Sequence, residues 1–205
     1  RTNGVIAIGL REGDKVIEVL LTSGNSEIIM ANKFGKALRF NESKVREMGR
    51  TATGVRGMLL NGDDDEVVGV IAIEPETENN VLVVSEKGYG KRSPIDDYRI
   101  TNRGGKGVKT LNISDKTGQL VAIKSVTDDN DLMIINKSAL TIRIAVASLR
   151  VMGRATQGVK LINLGKRNQN DEIASVCVVD HEEDAENEGV VEDTESTTTT
   201  ENNNE

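Results

Sequence analysis

The sequence predicts an all-β fold built from repeated units. Three observations indicate this: a motif that returns at a nearly constant interval, apolar residues grouped in short runs of strand length, and the lack of any long amphipathic helical stretch. A constant interval of about fifty residues is typical of repeat architectures, in which every unit buries its apolar face against its neighbours. These observations argue against an α/β fold or a helical bundle.

The repeated motif is Arg-x-x-x-Gly-Val-(Lys/Arg), followed by a short apolar run. It occupies residues 50–56, 103–109 and 154–160, and its glycines lie 53 and 51 residues apart. Because successive side chains of a strand face opposite sides, the basic residue after each valine should point away from the side that the valine buries. We therefore expect these basic residues to align from unit to unit along one outer surface. They are Arg56, Lys109 and Lys160.

Three complete units follow from this interval. They span residues 28–73, 81–126 and 132–179, and residues 1–27 resemble the second half of an earlier unit. The sequence thus starts inside a unit and has no initiator methionine. We expect it to be the C-terminal piece of a longer protein.

Each unit contains four short runs of β-forming residues, separated by Gly, Asn and Asp. In the first complete unit the predicted strands are 28–30, 37–40, 55–60 and 67–73. In the second unit they are 81–84, a short piece after Lys91-Arg92, 108–113 and 120–126, and the third unit ends in a strand over 173–179. At most one turn of helix fits 42–48 or 145–150. Radial repetition of four-stranded blades, as in a propeller, is the architecture that these features favour.

A second repeated segment lies between the first two strands of each unit. Residues 32–36 are echoed by 87–91 and, more weakly, by 136–140. In this alignment Phe34 and Tyr89 occupy equivalent places beside glycines. Their expected role is packing within the blade.

Charge divides the chain into a basic body and an acidic tail. The net charge of −7 conceals this division, because all 26 Lys and Arg precede residue 180 whereas 11 of the 33 Asp and Glu lie in residues 180–205. The body therefore carries +4 and the tail −11. The tail has almost no apolar residues to bury, which cannot offset a backbone entropy of roughly 1–2 kcal/mol per residue. We expect a disordered acidic tail over 180–205.

Several kinds of site are excluded by the residues present. Cys177 is the only cysteine and His181 the only histidine, so the chain has no intramolecular disulfide, no Ser-His-Asp or Cys-His arrangement and no His-rich metal site. Residues 103–107, Arg-Gly-Gly-Lys-Gly, lack the remaining residues of a nucleotide-binding P-loop. No apolar run approaches the roughly 18 residues of a membrane span. We expect a cytoplasmic protein without membrane contact.

Four strings of residues indicate a family. They are Ser43-x-Val45-Arg46-x-Met48-Gly49, Thr53-Gly54-Val55-Arg56-Gly57, Gly88-Tyr89-Gly90-Lys91-Arg92 and Val151-x-Gly153-Arg154-x-Thr156-Gln157-Gly158-Val159. On these strings, residues 1–179 resemble the C-terminal domain of bacterial DNA gyrase A. The resemblance implies a propeller-like β-pinwheel of six blades, about three and a half of them present here. It also implies strands exchanged between neighbouring blades and duplex DNA wrapped around a basic rim.

The resemblance further implies what lies outside this chain. The parent protein would be an ATP-dependent type IIA topoisomerase that supercoils DNA negatively, with this domain joined to the rest of gyrase A and assembled with gyrase B in an A2B2 complex. The catalytic tyrosine and the ATP and Mg sites of the family lie elsewhere, so no cofactor is expected in this fragment. The hallmark Gln-Arg-Arg-Gly-Gly-Lys-Gly box lies in the first blade, and residues 103–107 are a degenerate relative of its second half.

Candidate phosphate contacts are the basic residues of the motif and of the strands beside it. They are Lys33, Lys36, Arg39, Arg50, Arg56, Lys91, Arg92, Arg103, Lys106, Lys109, Arg143, Arg154 and Lys160. Two alternatives to gyrase stay open: the related subunit of topoisomerase IV, and a propeller that binds proteins and no nucleic acid. The acidic tail either competes with DNA for the basic rim or serves solubility alone.

Overall fold

The computed structural model describes residues 4–164 and 171–181. These residues contain eleven β-strands and three one-turn 3₁₀ helices, η1 to η3. In chain order they are β1 (Glu27–Asn32), β2 (Lys36–Asn41), η1 (Glu42–Lys44), β3 (Val67–Ile73), β4 (Asn80–Ser85), β5 (Tyr89–Pro94), η2 (Ile95–Asp97), β6 (Val108–Lys109), β7 (Leu120–Val126), β8 (Asn130–Asn136), β9 (Thr141–Ala145), η3 (Val146–Ser148), β10 (Val159–Lys160) and β11 (Ile173–Asp180). The all-β prediction is confirmed.

Strands are exchanged between successive units. The first sheet has the order β3-β1-β2-β6 and the second the order β10-β5-β4-β7, so the outermost strand of each comes from the following unit. Val108 and Lys109 of β6 pair with Ala37 and Lys36 of β2. β10 pairs with β5 in the same antiparallel way. The third sheet, within the part of the chain that the structure describes, has the order β11-β8-β9.

The glycine of the repeated motif makes this exchange possible. Gly158 has a φ of +80°, and a Cβ at this position would lie 2.5 Å from the carbonyl oxygen of Gly90. Gly107 has a φ of +71° and the same close approach, 2.5 Å, to the carbonyl oxygen of Ala37. Only glycine combines this backbone conformation with so short a distance to a neighbouring strand. The motif glycine therefore fixes where each exchanged strand docks.

Two apolar cores lie across the joints between units. One contains Ile71 and Ile73 of β3 together with Val81 and Val83 of β4 and Ile123 of β7. The other joins side chains of the second and third units, and its buried residues include Leu82, Leu132, Ile134, Val146 and Ile162. The inner strands β3 and β7 pack against each other, as do β7 and β11. Burial across the joints makes each unit depend on the next for its stability.

Most predicted strands are confirmed, but one is wrong and two have other bounds. The short piece expected after Lys91-Arg92 is β5, which begins at Tyr89 and contains both residues. The predictions over 67–73 and 120–126 match β3 and β7 to the residue, and the one-turn helices lie where 42–48 and 145–150 allowed them. Residues 55–60 form no strand. They pair instead with a loop of the next unit, since Leu59 donates a hydrogen bond to the Gly105 carbonyl at 2.8 Å. The predicted strand over 108–113 is confirmed only for Val108–Lys109.

The alignment of the segment between the first two strands was off by two residues. Gly35 and Gly88 are the equivalent positions, because each has a positive φ and its N–H binds the carbonyl three residues before it. Ala139 takes this place in the third unit, with a φ of +64°. Tyr89 is therefore the counterpart of Lys36, and Lys91 is the counterpart of Leu38.

Both ends of the sequence carried predictions that the structure addresses only in part. Residues 4–26 form no regular strand and expose apolar side chains, among them Leu21 at 98% exposure. The predicted disordered tail lies outside the described residues except for Asp180, which ends β11, and His181, which binds Asp131. No helix among the described residues is long and apolar enough to cross a membrane.

We expect Gly158→Ala to lower the free energy of unfolding by about 1–3 kcal/mol, because the substitution places a side chain in the left-handed region and against the Gly90 carbonyl. Gly153→Ala, in the same loop, is the matched control, since a Cβ there meets no atom within 4 Å. It should change stability by less than about 0.5 kcal/mol. Urea unfolding followed by circular dichroism measures both. Equal losses would contradict the role given to the exchanged strand.

Candidate nucleic-acid interface

Basic residues recur at four positions of each unit, all with the same offsets of 53 and 51 residues. The structure separates them into exposed cations and cations that bind the backbone of a neighbouring unit. The four sets are Arg39, Arg92 and Arg143; Arg46, Arg99 and Arg150; Arg50, Arg103 and Arg154; and Arg56, Lys109 and Lys160.

The last basic residue of the motif is exposed in every unit. Arg56, Lys109 and Lys160 all point outward, whereas the valine before each is half-buried, so the orientation predicted for them is confirmed. Lys109 Nζ donates to Asn112 Oδ1 at 3.3 Å, and Lys160 Nζ donates to Asn163 Oδ1 at 3.1 Å. The same local bond thus holds both ammonium groups at the outer surface. Lys36 lies beside Lys109 as its partner in the β2–β6 pair.

The first arginine of the motif joins one unit to the one before it. Arg103 Nε donates to the carbonyl of Lys44 at 2.8 Å, and its Nη1 donates to the carbonyl of Arg56 at 3.0 Å. Arg154 repeats this contact with the carbonyls of Asp97 and Lys109, both at 2.8 Å. In both cases one acceptor ends a 3₁₀ turn and the other belongs to the exposed cation of the preceding motif.

These two arginines therefore fix the spacing between successive exposed cations. Their Nε and Nη1 groups already donate to carbonyl oxygens. Arg103 and Arg154 therefore hold the neighbouring backbone in place and have fewer donors left for phosphate. Arg50, the first copy of the motif arginine, is exposed. Guanidinium groups suit this task because several N–H donors lie in one rigid plane.

Arg39 and Arg92 do not fit the phosphate contacts predicted for them. The Arg39 guanidinium is ion-paired with Glu27, donates to the Ile95 and Tyr98 carbonyls, and leaves 11% of its side chain exposed. Arg92 is ion-paired with Asp128, and 7% of its side chain is exposed. Each guanidinium is paired with a carboxylate and donates to carbonyls of the next unit. We therefore leave both arginines out of the interface.

Arg143 is the third member of this set and is more accessible. Its Nε donates to Asp131 Oδ2 at 2.5 Å, and 42% of its side chain is exposed. His181 Nδ1 lies 2.8 Å from the other oxygen of the same carboxylate. These two bonds, that from His181 foremost, lower the pKa of Asp131. Asp131 thus stays charged and holds Arg143 on the surface.

Lys91 was also predicted to contact phosphate, and its buried position does not fit such a contact. It is 1% exposed, and its Nζ donates to the carbonyls of Gly153 and Arg154 and to Thr156 Oγ1. Burial lowers the pKa of Lys91 to about 8, an effect that Asp97 opposes and the Arg154 charge adds to. The ammonium binds the next unit and does not reach solvent.

Lys33 and Lys106 lie in different surroundings. Lys33 is half-buried, 4.0 Å from Glu66, and borders a cavity of about 460 Å³ at the start of the inner strands. Lys106 is exposed in the loop before β6 and, with Arg99, borders a smaller cavity of about 190 Å³. Of the two, Lys106 lies with the exposed cations of the outer loops.

Sequence reasoning missed one complete set of exposed cations. Arg46, Arg99 and Arg150 are all exposed, and each follows directly the residue that caps a 3₁₀ turn. The signal was present in the sequence, because their offsets of 53 and 51 residues are those of the motif glycines. Together with Arg56, Lys109 and Lys160 they form what we call the basic track.

Acidic residues gather in a separate cleft. A cavity of about 1000 Å³ lies where the β3–β4 and β7–β8 connections meet, and seven carboxylates line it. They are Glu27, Glu74, Glu76, Glu78, Asp96, Asp128 and Asp129. Among the residues described, no group of three or more His, Cys, Asp or Glu side chains could hold a metal ion.

Comparison with known proteins gives a consistent result. A family model described as the DNA gyrase C-terminal domain, beta-propeller, matches residues 1–23, 26–74, 79–127 and 130–180. The chain is 47% identical over 197 residues to the DNA gyrase A protein of Staphylococcus aureus strain NCTC 8325, a match that covers 96% of this chain and 21% of that protein. The chain thus spans about a fifth of the length of the curated relatives it matches.

Solved structures share the fold. A DNA gyrase A C-terminal domain superposes with a TM-score of 0.75 at 29% identity, over 85% of this chain and 58% of that one. The C-terminal domain of a DNA topoisomerase IV superposes with a TM-score of 0.78 at 24% identity, over 85% of this chain and 53% of the other. At that identity the second likeness concerns the fold alone.

The buried Lys91 should make stability rise with pH. The folded chain releases this proton near pH 8, whereas the unfolded chain keeps it up to the ordinary pKa of 10.5. Between these values the unfolded state binds more protons, so the free energy of unfolding rises with pH, by at most about 1.4 kcal/mol per unit. Lys91→Met lacks this contribution, and wild type should therefore gain stability relative to the variant from about pH 8 to 10.

Urea unfolding at several pH values in this window measures the difference. The pKa of Tyr98 is raised by burial to about 12, and its opposing effect begins only above its ordinary value of 10.0, so the window ends there. Lys137→Met is the control, because the bond to Glu172 raises the pKa of Lys137 and gives no gain over this range. Parallel curves for wild type and Lys91→Met would contradict the assignment.

Proposed function

The chain belongs to the DNA gyrase C-terminal domain family, and we propose that it binds and bends duplex DNA along the basic track. The observation that carries the proposal is the recurrence of two exposed cations in each of three units at one spacing. A phosphate backbone is itself a periodic row of negative charges. Cations that recur at equivalent positions of successive units can contact successive stretches of that phosphate backbone.

The binding would be electrostatic and independent of base sequence. Lys and Arg that neutralise phosphates release counterions, so affinity falls with salt at a slope of about −0.9 per phosphate contact. Contacts of this kind position DNA without reading its bases. Smooth bending of about 20–30 bp costs on the order of 1–6 kcal/mol, which a grip spread over several units can offset.

Arg103 and Arg154 hold the backbone that carries these exposed cations. Each binds the carbonyl of an exposed cation in the preceding motif, and we expect these two matching bonds to hold the distance from unit to unit constant. A constant distance matters because a curved path is held only if every contact engages at once. The basic track is therefore supported by two guanidinium groups that do not belong to it, those of Arg103 and Arg154.

The role of the parent protein follows from the family. Bending DNA in one sense would present a second segment to the gate of an ATP-dependent topoisomerase, which would make the product negatively supercoiled. The proposed partners are duplex DNA, the rest of gyrase A and the gyrase B protein. The proposed location is the bacterial cytoplasm, and ATP and Mg would bind outside this chain.

The corresponding protein of topoisomerase IV is the second candidate, because its C-terminal domain has the same fold. The 47% identity to a gyrase A protein favours gyrase. A propeller that binds only proteins is a third possibility, left open by the moderate body charge.

Gel retardation with linear duplex DNA over a salt series tests the proposal directly. We expect retardation at about 50 mM salt, equal for unrelated sequences, and a steep loss of affinity as salt increases. A protein-binding propeller would give no retardation even at low salt. Affinity that depended on sequence would contradict contacts made to phosphates alone.

Replacing Arg99 and Arg150 by Gln should reduce the magnitude of the salt slope by up to about 1.8, since two phosphate contacts are lost. Replacing Lys33 and Lys137 by Gln changes the net charge equally but affects the cavity at the inner strands, where both residues lie close to glutamates. This control should leave the slope nearly unchanged. Equal effects from both pairs would show that net charge, and not the basic track, governs binding.

A further inference from the structure

A buried lysine crosses the joint between the second and third units. Lys91 belongs to β5, yet the three oxygens that its ammonium binds belong to the loop 153–156 of the following unit. The Gly153 carbonyl is 2.6 Å away, and Thr156 Oγ1 is 3.1 Å away. A charge placed so far from solvent is costly unless its donors are satisfied, and these three acceptors satisfy them.

The joint between the first and second units is built differently. Leu38 takes the place of Lys91, because it faces Met30 across the β1–β2 pair as Lys91 faces Val83 across the β4–β5 pair. Leu38 packs near Gly105, and a cavity of about 190 Å³ lies beside it. Both joints are crossed by arginine–carbonyl bonds. At this one position, however, the first joint has apolar packing and free volume, whereas the second has three directional bonds.

The loop that Lys91 holds also carries Arg154. The guanidinium of Arg154 donates to the carbonyls of Asp97 and Lys109, and Lys109 belongs to the basic track. The charged groups that face Lys91 are Asp97 from η2 and Arg154 from the loop itself. A chain of polar contacts therefore runs from the buried ammonium through the loop to an exposed cation.

We propose that Lys91 is a positioning residue for the basic track. By holding the loop 153–156 and with it Arg154, it keeps the cations of the second and third units at a fixed separation. The first joint lacks this buried anchor, because Leu38 stands in its place beside a cavity. This proposal rests on the DNA binding proposed above, and it adds that one of the two equivalent joints has an additional buried polar anchor.

The salt dependence distinguishes positioning from direct contact. Lys91→Met should weaken duplex DNA binding by roughly three- to tenfold, the range expected when one or two hydrogen bonds are lost. The salt slope should stay the same, because no phosphate contact is removed. A slope smaller by about 0.9 would identify Lys91 as a phosphate contact and overturn the proposal.

Leu38→Met is the matched control, since it places the same side chain at the equivalent position of the first joint. It should change DNA affinity by less than about twofold. A double-mutant cycle then tests the route through Arg154. Lys91→Met should have little further effect in an Arg154→Ala background and its full effect in an Arg99→Ala background. Additive effects in both backgrounds would overturn the proposal.

Hydrogen exchange of the loop gives a measurement that needs no DNA. Amides of residues 152–158 should exchange faster in Lys91→Met than in wild type, while those of 101–107 should not change. Thr156→Val removes one acceptor without altering β5, so it tests the same contact if Lys91→Met fails to fold. It should shift exchange and affinity in the same direction by a smaller amount. Unchanged exchange in the variant that folds would overturn the proposal.

The two proposals fail in different ways. If wild type does not bind duplex DNA, the proposed function is wrong and the positioning role falls with it. If wild type binds with the expected salt slope but Lys91→Met and Thr156→Val bind equally well, the positioning role alone is wrong.

Discussion

Each exchanged strand brings two backbones into a contact that admits no side chain. A Cβ on Gly107 or Gly158 would lie 2.5 Å from a carbonyl oxygen of the preceding sheet, so in the observed register this contact requires a glycine. The units are then related by backbone geometry, which varies far less than side-chain packing. The exposed Lys109 and Lys160 belong to the exchanged strands themselves. Their positions on the surface therefore depend on this backbone contact.

The recurring arginines serve two purposes. A basic residue that returns at a fixed place in a repeat can act on a ligand or on the neighbouring repeat, and this chain does both. Arg39 and Arg92 bind carboxylates and turn carbonyls, Arg103 and Arg154 bind the backbone of the motif before them, and Arg99 and its equivalents face outward. Carbonyl oxygens left free by loops and one-turn helices need donors, and a guanidinium supplies several at once. Some of the arginines thus bind neighbouring units together, and the other basic residues are exposed on the resulting surface.

Much of the fold could be predicted from the sequence. The interval between motif glycines defined the units, and the apolar runs gave β3 and β7 to the residue, because these are buried inner strands with clear boundaries. The destination of Val108–Lys109 could not be read from the pattern, since a run of two strand residues does not show which sheet it joins. The position of Lys91 was equally hidden, because its acceptors lie more than sixty residues away. Arg46, Arg99 and Arg150 share the spacing of the motif but lie outside it, so the motif alone did not indicate them.

Ala139 lies just before β9, which is an edge strand of the third sheet among the residues that the structure describes. It stands in the place of Gly35 and Gly88, where a Cβ would come within 2.7 Å of atoms from the following unit. A strand delivered to β9 in the manner of β6 or β10 would collide with this methyl group. Sheet edges can pair with a further strand, and a side chain in the left-handed region beside such an edge narrows the geometries that fit. The Ala139 methyl group therefore disfavours one specific way of docking a further strand on β9, the way in which β6 docks on β2 and β10 docks on β5.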